Sequence, residues 1–236
     1  MNNWTKLFKN KNLIQRLLIV NTIVFIFFGI FFFLFPRIDI FFSNVFFIDN
    51  EFISEKLIFI KTLRSFLKTF MIIIPLVSLF FLIICFVDKK QKINLKLSKR
   101  VKCACFGLII GPIVGSGLIA NFYFKDQWGR ARPVQIEEFG GDKVYSPPFV
   151  KSDQCLKNCS WISGETSAAF SFFVGVIILK SPIFIWINLI LGFLVFFCRI
   201  SMGGHFLSDN IFAIIFMFYL AIIYRYLIYI WFKKRM

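Results

Sequence analysis

Three short polar clusters interrupt an otherwise apolar chain: Lys125-Asp-Gln-Trp-Gly-Arg130-Ala-Arg132-Pro133, Ser163-Gly164-Glu165, and Arg199-Ile-Ser-Met-Gly-Gly-His205-Phe-Leu-Ser-Asp209. Lys125, Arg130, Arg132 and Arg199 suit a phosphate. Guanidinium forks meet its oxygens in pairs, and lysine meets them as a point charge. His205 is the sole histidine, and Asp209 follows four residues on, on the same face of a helix. A carboxylate holding one ring nitrogen frees the other to act as base or nucleophile. Gly203-Gly204 allow a tight turn and close backbone approach. Ser163-Gly164 at a helix start offers backbone N–H groups and the helix dipole to an anion. Glu165, if buried against a phosphate, would have a raised pKa and could serve as general acid. Each feature also has a plain reading. A boundary cation can simply reach the headgroups, a lone histidine can be structural, and Ser-Gly-Glu can be an N-terminal cap. A zinc site is disfavoured, because Asp209 and Glu165 are the only obvious co-ligands.

The elements that must position these residues are membrane spans. Of 236 residues, 58% are hydrophobic and 36 are Phe, and mean hydropathy is +0.77. Soluble chains average about 45–50% apolar. Six apolar runs are evident, at about 17–35, 69–87, 103–124, 166–179, 183–198 and 210–231, most of them near the ~20 residues a spanning helix needs. The expectation is an all-α integral membrane protein, one domain over 1–236 with six transmembrane helices. The first run is too long for a signal-peptide core and no small-residue cleavage site follows, so it reads as a retained span. Pro36–Lys68 is mixed in character and suits amphipathic helices at the interface. Gly107, Gly111, Gly115 and Gly117 suit a closely packed third span.

Charge sets the orientation. One side, with the N-terminus, Asp88–Lys102, Lys180 and the C-terminus, carries 15 Lys/Arg and one acid. The other carries 12 against 11. By the charge bias the first side, with both termini, is cytoplasmic. The net charge of +16 then faces anionic lipids and requires no nucleic acid. Lys125, Glu165, Arg199 and Asp209 all fall at span junctions on the outer side. Sequence separation is thereby removed. Cys155 and Cys159 share an outer loop, where a disulfide is allowed by compartment and decided by loop geometry. Trp128 and Trp161 are expected beside the site at headgroup depth.

These residues resemble the membrane branch of the type 2 phosphatidic acid phosphatase (PAP2) family. Lys125 to Arg132-Pro133 fits Lys-x6-Arg-Pro, and Arg199-x5-His205-x3-Asp209 fits the third family motif, with Cys198 in place of its leading Ser. The middle motif, Pro-Ser-Gly-His in the family, departs: Ile162 replaces the Pro and Glu165 the His. Ser-Gly-Glu, Trp-Gly-Arg-Ala-Arg-Pro and the Cys-x3-Cys loop are similar to a bacterial branch associated with lipid A dephosphorylation, particularly at the 4′ position. The resemblance implies a PAP2-type helical bundle and a lipid phosphatase of the bacterial inner membrane with its site facing the periplasm. His205, oriented by Asp209, would attack phosphorus and form a phosphohistidine that water then hydrolyses. Lys125, Arg132, Arg199, Ser163 and Gly164 would hold the phosphate, with Arg130 on a second headgroup charge. Four cations would make a metal or other cofactor unnecessary. Lipid A 1-phosphate, undecaprenyl pyrophosphate and phosphatidylglycerol phosphate are alternative substrates. The alternative reaction is lipid phosphotransfer, and the alternative class is a non-catalytic binder of anionic lipid.

Overall fold

The computed structural model describes residues 11–87 and 97–233. The basic segments before Lys11, across 88–96 and after Lys233, on which the charge bias largely rests, lie outside the described residues.

The chain is mostly helical. Helix α1 (Lys11–Leu34) leads to a short α2 (Ile38–Asn44), a two-residue hairpin of β1 (Phe47–Ile48) and β2 (Glu51–Phe52), and α3 (Ile58–Val87). Next come α4 (Lys99–Pro112), continued as a π-helix (Ile113–Lys125), then α5 (Gly164–Ser171), α6 (Phe173–Leu179), α7 (Pro182–Ser201) and α8 (Leu207–Lys233). Among the described residues, five helical stretches are long and apolar enough to cross a membrane, whereas Gly164–Leu179 is a shorter apolar stretch, divided at Phe172. It coincides with the expected fourth span.

Burial separates inner helices from outer ones. Only 11% of the apolar window is buried in α1 and in α3, against 44% in α8. Outward-facing residues such as Ile23, Phe27, Phe33, Ile72 and Phe80 are exposed. Apolar side chains on this scale, left unpaired by the fold, are a lipid-facing surface. Helix α8 packs against α5, α6 and α1, and α4 lies along α6. That last approach is very close: a Cβ on Gly107 would stand 2.8 Å from Gly175 Cα, and one on Gly111 2.3 Å from the Ser171 carbonyl oxygen. Backbone-to-backbone packing of this kind is what small residues permit.

The segment before α3 differs from the expected interfacial helices. Helix α3 begins at Ile58 rather than near Thr69, and α2 closes one end of the bundle with Asp39 and Ser43 buried. Phe52, Ala131, Ile136, Phe139 and Phe206 form a small core there. A second core of Phe32, Phe124, Trp161, Ile162 and Phe212 lies where α1, the π-helix and α8 meet. Trp161 is therefore a fully buried core residue, not an interfacial one, and its ring lies 5.0 Å from Phe149 and 5.4 Å from Phe212.

Candidate active site

Helix ends deliver the site. Lys125 is the last residue of the π-helix, Arg199 lies in the last turn of α7, Asp209 lies in the first turn of α8, and Ser163 caps α5. The polar ends converge. A Cβ on Gly164 would lie 3.2 Å from Lys125 Nζ, and one on Gly204 2.3 Å from Arg199 Nη2. The His205 amide donates to the Arg199 carbonyl at 3.2 Å, and the Ser163 amide to the Asp209 carbonyl at 3.2 Å. Arg132 Nη2 donates to Asn158 Oδ1 at 2.9 Å, and Lys125 Nζ to the same oxygen at 3.3 Å. The three clusters thus meet at one end of the bundle. A side chain at Gly204 would press on the Arg199 guanidinium, and one at Gly164 on the side chains of Asn121 and Lys125.

His205 is 1% exposed. Its Nδ1 is 2.8 Å from the Ser160 carbonyl, which can only accept, so Nδ1 carries the proton and Nε2 holds the free lone pair. Nε2 has no partner among the described residues. Asp209 was expected to hold the ring directly, but its Oδ2 lies 3.6 Å from Nδ1. It instead accepts from the Phe206 amide at 2.8 Å and from Ser160 Oγ. Asp209 therefore fixes the histidine by fixing the two segments that hold it. Burial, with the charges of Arg199, Lys125 and Arg132 nearby, pushes the His205 pKa well below its ordinary value, so the ring is neutral near pH 7.

Arg130, expected to meet a second headgroup charge, is wholly enclosed. Its Nε donates to the Ser146 carbonyl (2.9 Å), Nη1 to Asp209 Oδ1 (2.6 Å) and Ser208 Oγ (2.9 Å), and Nη2 to Asp39 Oδ2 (2.7 Å) and the Tyr145 hydroxyl (3.4 Å). All five N–H groups are occupied. It is an internal strut that ties α2 to α8. Ser163 is likewise engaged: its hydroxyl caps α5 by accepting from the Thr166 amide, and donates to Thr166 Oγ1 at 2.9 Å.

Glu165 is gripped from α3. Arg64 Nε donates to Glu165 Oε2 at 2.9 Å while Arg64 Nη2 meets Oε1, and Arg199 Nη1 stands 3.9 Å from Oε1. Both oxygens are thus committed to a guanidinium, an arrangement that favours the carboxylate over the acid. Arg199 is 4% exposed, and its Nε is enclosed without a hydrogen-bond partner among the described residues. Cys155 and Cys159 are joined in a disulfide with a Cα separation of 5.6 Å. The closed loop carries Asn158 onto Arg132 and Lys125. Among the described residues, no group of three or more His, Cys, Asp or Glu could hold a metal ion.

Arg64, Asp39, Ser160 and Asn158 were not singled out by the sequence reading. Arg64 and Asp39 lie in the mixed segment 36–68, where their side chains resemble ordinary interfacial charges. Ser160 acts through its carbonyl, which no side-chain pattern reveals.

Residues 100–235 match the family described as the PAP2 superfamily. A lipid A 4′-phosphatase of Francisella tularensis subsp. novicida is 36% identical over 85% of this chain and 90% of its own length. Those of Rhizobium leguminosarum and Rhizobium etli are 27% and 29% identical over 74% of this chain, and over 80% and 73% of their own lengths. No solved structure matches the chain significantly.

Proposed function

The chain belongs to the PAP2 superfamily, and from that premise we propose that it removes the 4′-phosphate of lipid A through a phosphohistidine on His205. One observation carries the reading: an uncompensated surplus of positive charge faces the neutral ring of His205. Lys125, Arg132 and Arg199 have only Glu165 and Asp209 as nearby carboxylates, and these are already paired with Arg64 and Arg130 respectively. Buried charge without a partner is unfavourable, so a dianionic phosphate is the group that completes the site. The names of the three relatives support lipid A as the phosphate's carrier.

In the first step Nε2 forms a bond to phosphorus while the bond to the lipid oxygen breaks, and the lipid leaves as its alcohol with a proton taken from water. The cations stabilise the charge spread over the equatorial oxygens. In the second step water attacks phosphorus and the phosphorus–Nε2 bond breaks, releasing inorganic phosphate and the neutral ring. Ser160 and Asp209 hold the tautomer whose Nδ1 carries the proton, so that Nε2 is the nitrogen that attacks. The cations supply the charge for which other phosphatases use metal ions, so the reaction is metal-independent.

The same reading makes residues 1–236 a single six-span domain, with Gly164–Leu179 as the short fourth span. Both termini are then cytoplasmic, and the site faces the periplasm across the inner membrane. The test is phosphate release from lipid A, undecaprenyl pyrophosphate and phosphatidylglycerol phosphate, with and without EDTA, for the wild type and His205→Ala. Release from the lipid A 4′ position, abolished in His205→Ala and unaffected by EDTA, is expected. Preference for another lipid, or loss of activity in EDTA, would overturn the reading.

A further inference from the structure

We propose that Arg64, on α3, is a fourth phosphate-binding cation beside Lys125, Arg132 and Arg199, and that Glu165 is the residue that positions it there rather than a proton donor. This rests on the phosphatase reading of the site and adds a residue that no family motif above contains.

Geometry supplies the reasons. Arg64 approaches Glu165 with one edge of its guanidinium, Nε and Nη2 each meeting a different carboxylate oxygen. Arginine carries five N–H donors in a planar fork. The two used on Glu165 leave three others, for which the described residues show no partner. The second edge is not sealed: the Arg64 side chain is 30% exposed and that of Glu165 22%. On its other side Glu165 stands 3.9 Å from Arg199 Nη1, so one carboxylate lies between two guanidinium groups. Arg64 is also near enough to Arg132 and Arg199 for their charges to interact.

Three arginines and Lys125 gathered around one carboxylate repel each other unless an anion joins them. The Arg64–Glu165 link therefore brings a charge from a peripheral helix to the phosphate site. It also explains the residue type. A proton donor needs one carboxyl oxygen free to carry the proton to the leaving oxygen, and neither oxygen of Glu165 is free. A bidentate anchor needs both, as found.

A purely structural pair joining α3 to α5 would look the same in a static structure, so the test must read ligand binding. Phosphate release from lipid A in detergent micelles is measured for the wild type, Arg64→Ala, Glu165→Gln and the double variant. Inhibition by inorganic phosphate is measured for each. An inactive wild type would refute the underlying reading and is thereby distinguished from failure of this inference. With an active wild type, Arg64→Ala is expected to lower kcat/KM by about 10- to 100-fold, as for one charge-assisted hydrogen bond. It should also raise the inhibition constant of inorganic phosphate. Glu165→Gln should act in the same direction, and the double variant should be no worse than Arg64→Ala alone. If Arg64→Ala is not recovered folded, Arg64→Lys serves. It keeps the charge but cannot grip both oxygens and still present a second edge, so the phosphate inhibition constant again rises. An unchanged inhibition constant in Arg64→Ala, or in Glu165→Gln, would overturn the proposal.

Discussion

Replacing Arg130 by alanine gives the sharpest test of how the site is held. Its guanidinium lies between Asp209 and Asp39, both side chains fully enclosed, at 2.6 and 2.7 Å. Its carbon also stands 4.4 Å from the centre of the Phe206 ring. Removing one partner of a buried ion pair costs about 3–5 kcal/mol, because the charge left behind has no solvent. Here two carboxylates are orphaned together, and the Ser146 carbonyl loses its donor as well. The loss is therefore expected at the upper end of that range, a shift of more than about a hundredfold in the folded-to-unfolded ratio. Arg130→Ala should unfold in detergent at markedly lower denaturant concentration than the wild type. Arg130→Ala combined with Asp39→Asn should recover part of the loss, because one orphaned charge is removed with its partner. A phosphate-contacting Arg130 would behave differently. The alanine variant would then keep wild-type stability while its inhibition by inorganic phosphate weakened, and that result would refute the assignment of Arg130 as a strut.

Three further outcomes follow from the site's geometry and charge. Gly204→Ala would place a methyl group 2.3 Å from Arg199 Nη2; kcat/KM should fall by more than about tenfold while thermal stability in detergent changes little, and wild-type turnover would mean that Arg199 is free to move aside. The depressed His205 pKa fixes a sign for pH: the ring stays neutral through the ordinary histidine range and is lost as nucleophile only at lower pH, so the acid limb of kcat/KM should lie below about pH 6.5. Lys125→Gln removes one of the charges that depress this pKa and should move the acid limb to higher pH.

The sequence made the general layout legible through charge and hydropathy. Lys125, Arg199 and Asp209 could be placed at one membrane face because each ends or opens an apolar run, a pattern set by bilayer thickness. The close approach of the third span was legible from the spacing of its glycines. What stayed hidden depends on side-chain direction. Arg130 and Arg132 are two residues apart, yet one is sealed among carboxylates and the other partly open beside Asn158. Spacing alone cannot separate them. Asp39 and Arg64 belong to a segment of mixed polarity whose tertiary partners lie far along the chain. The His205–Asp209 spacing suggested a direct hydrogen bond, whereas the turn before α8 presents the ring to the Ser160 carbonyl instead.

The central claim is that His205 carries the phosphoryl group, and chemical quenching during turnover tests it directly. Lipid A labelled in its 4′-phosphate should leave, on rapid denaturation, a label on the peptide containing His205. That label should be stable in alkali and lost in acid, and absent from His205→Ala. Continued phosphate release with no trapped label and inverted stereochemistry at phosphorus would contradict the account, since water would then be attacking the lipid phosphate in a single step.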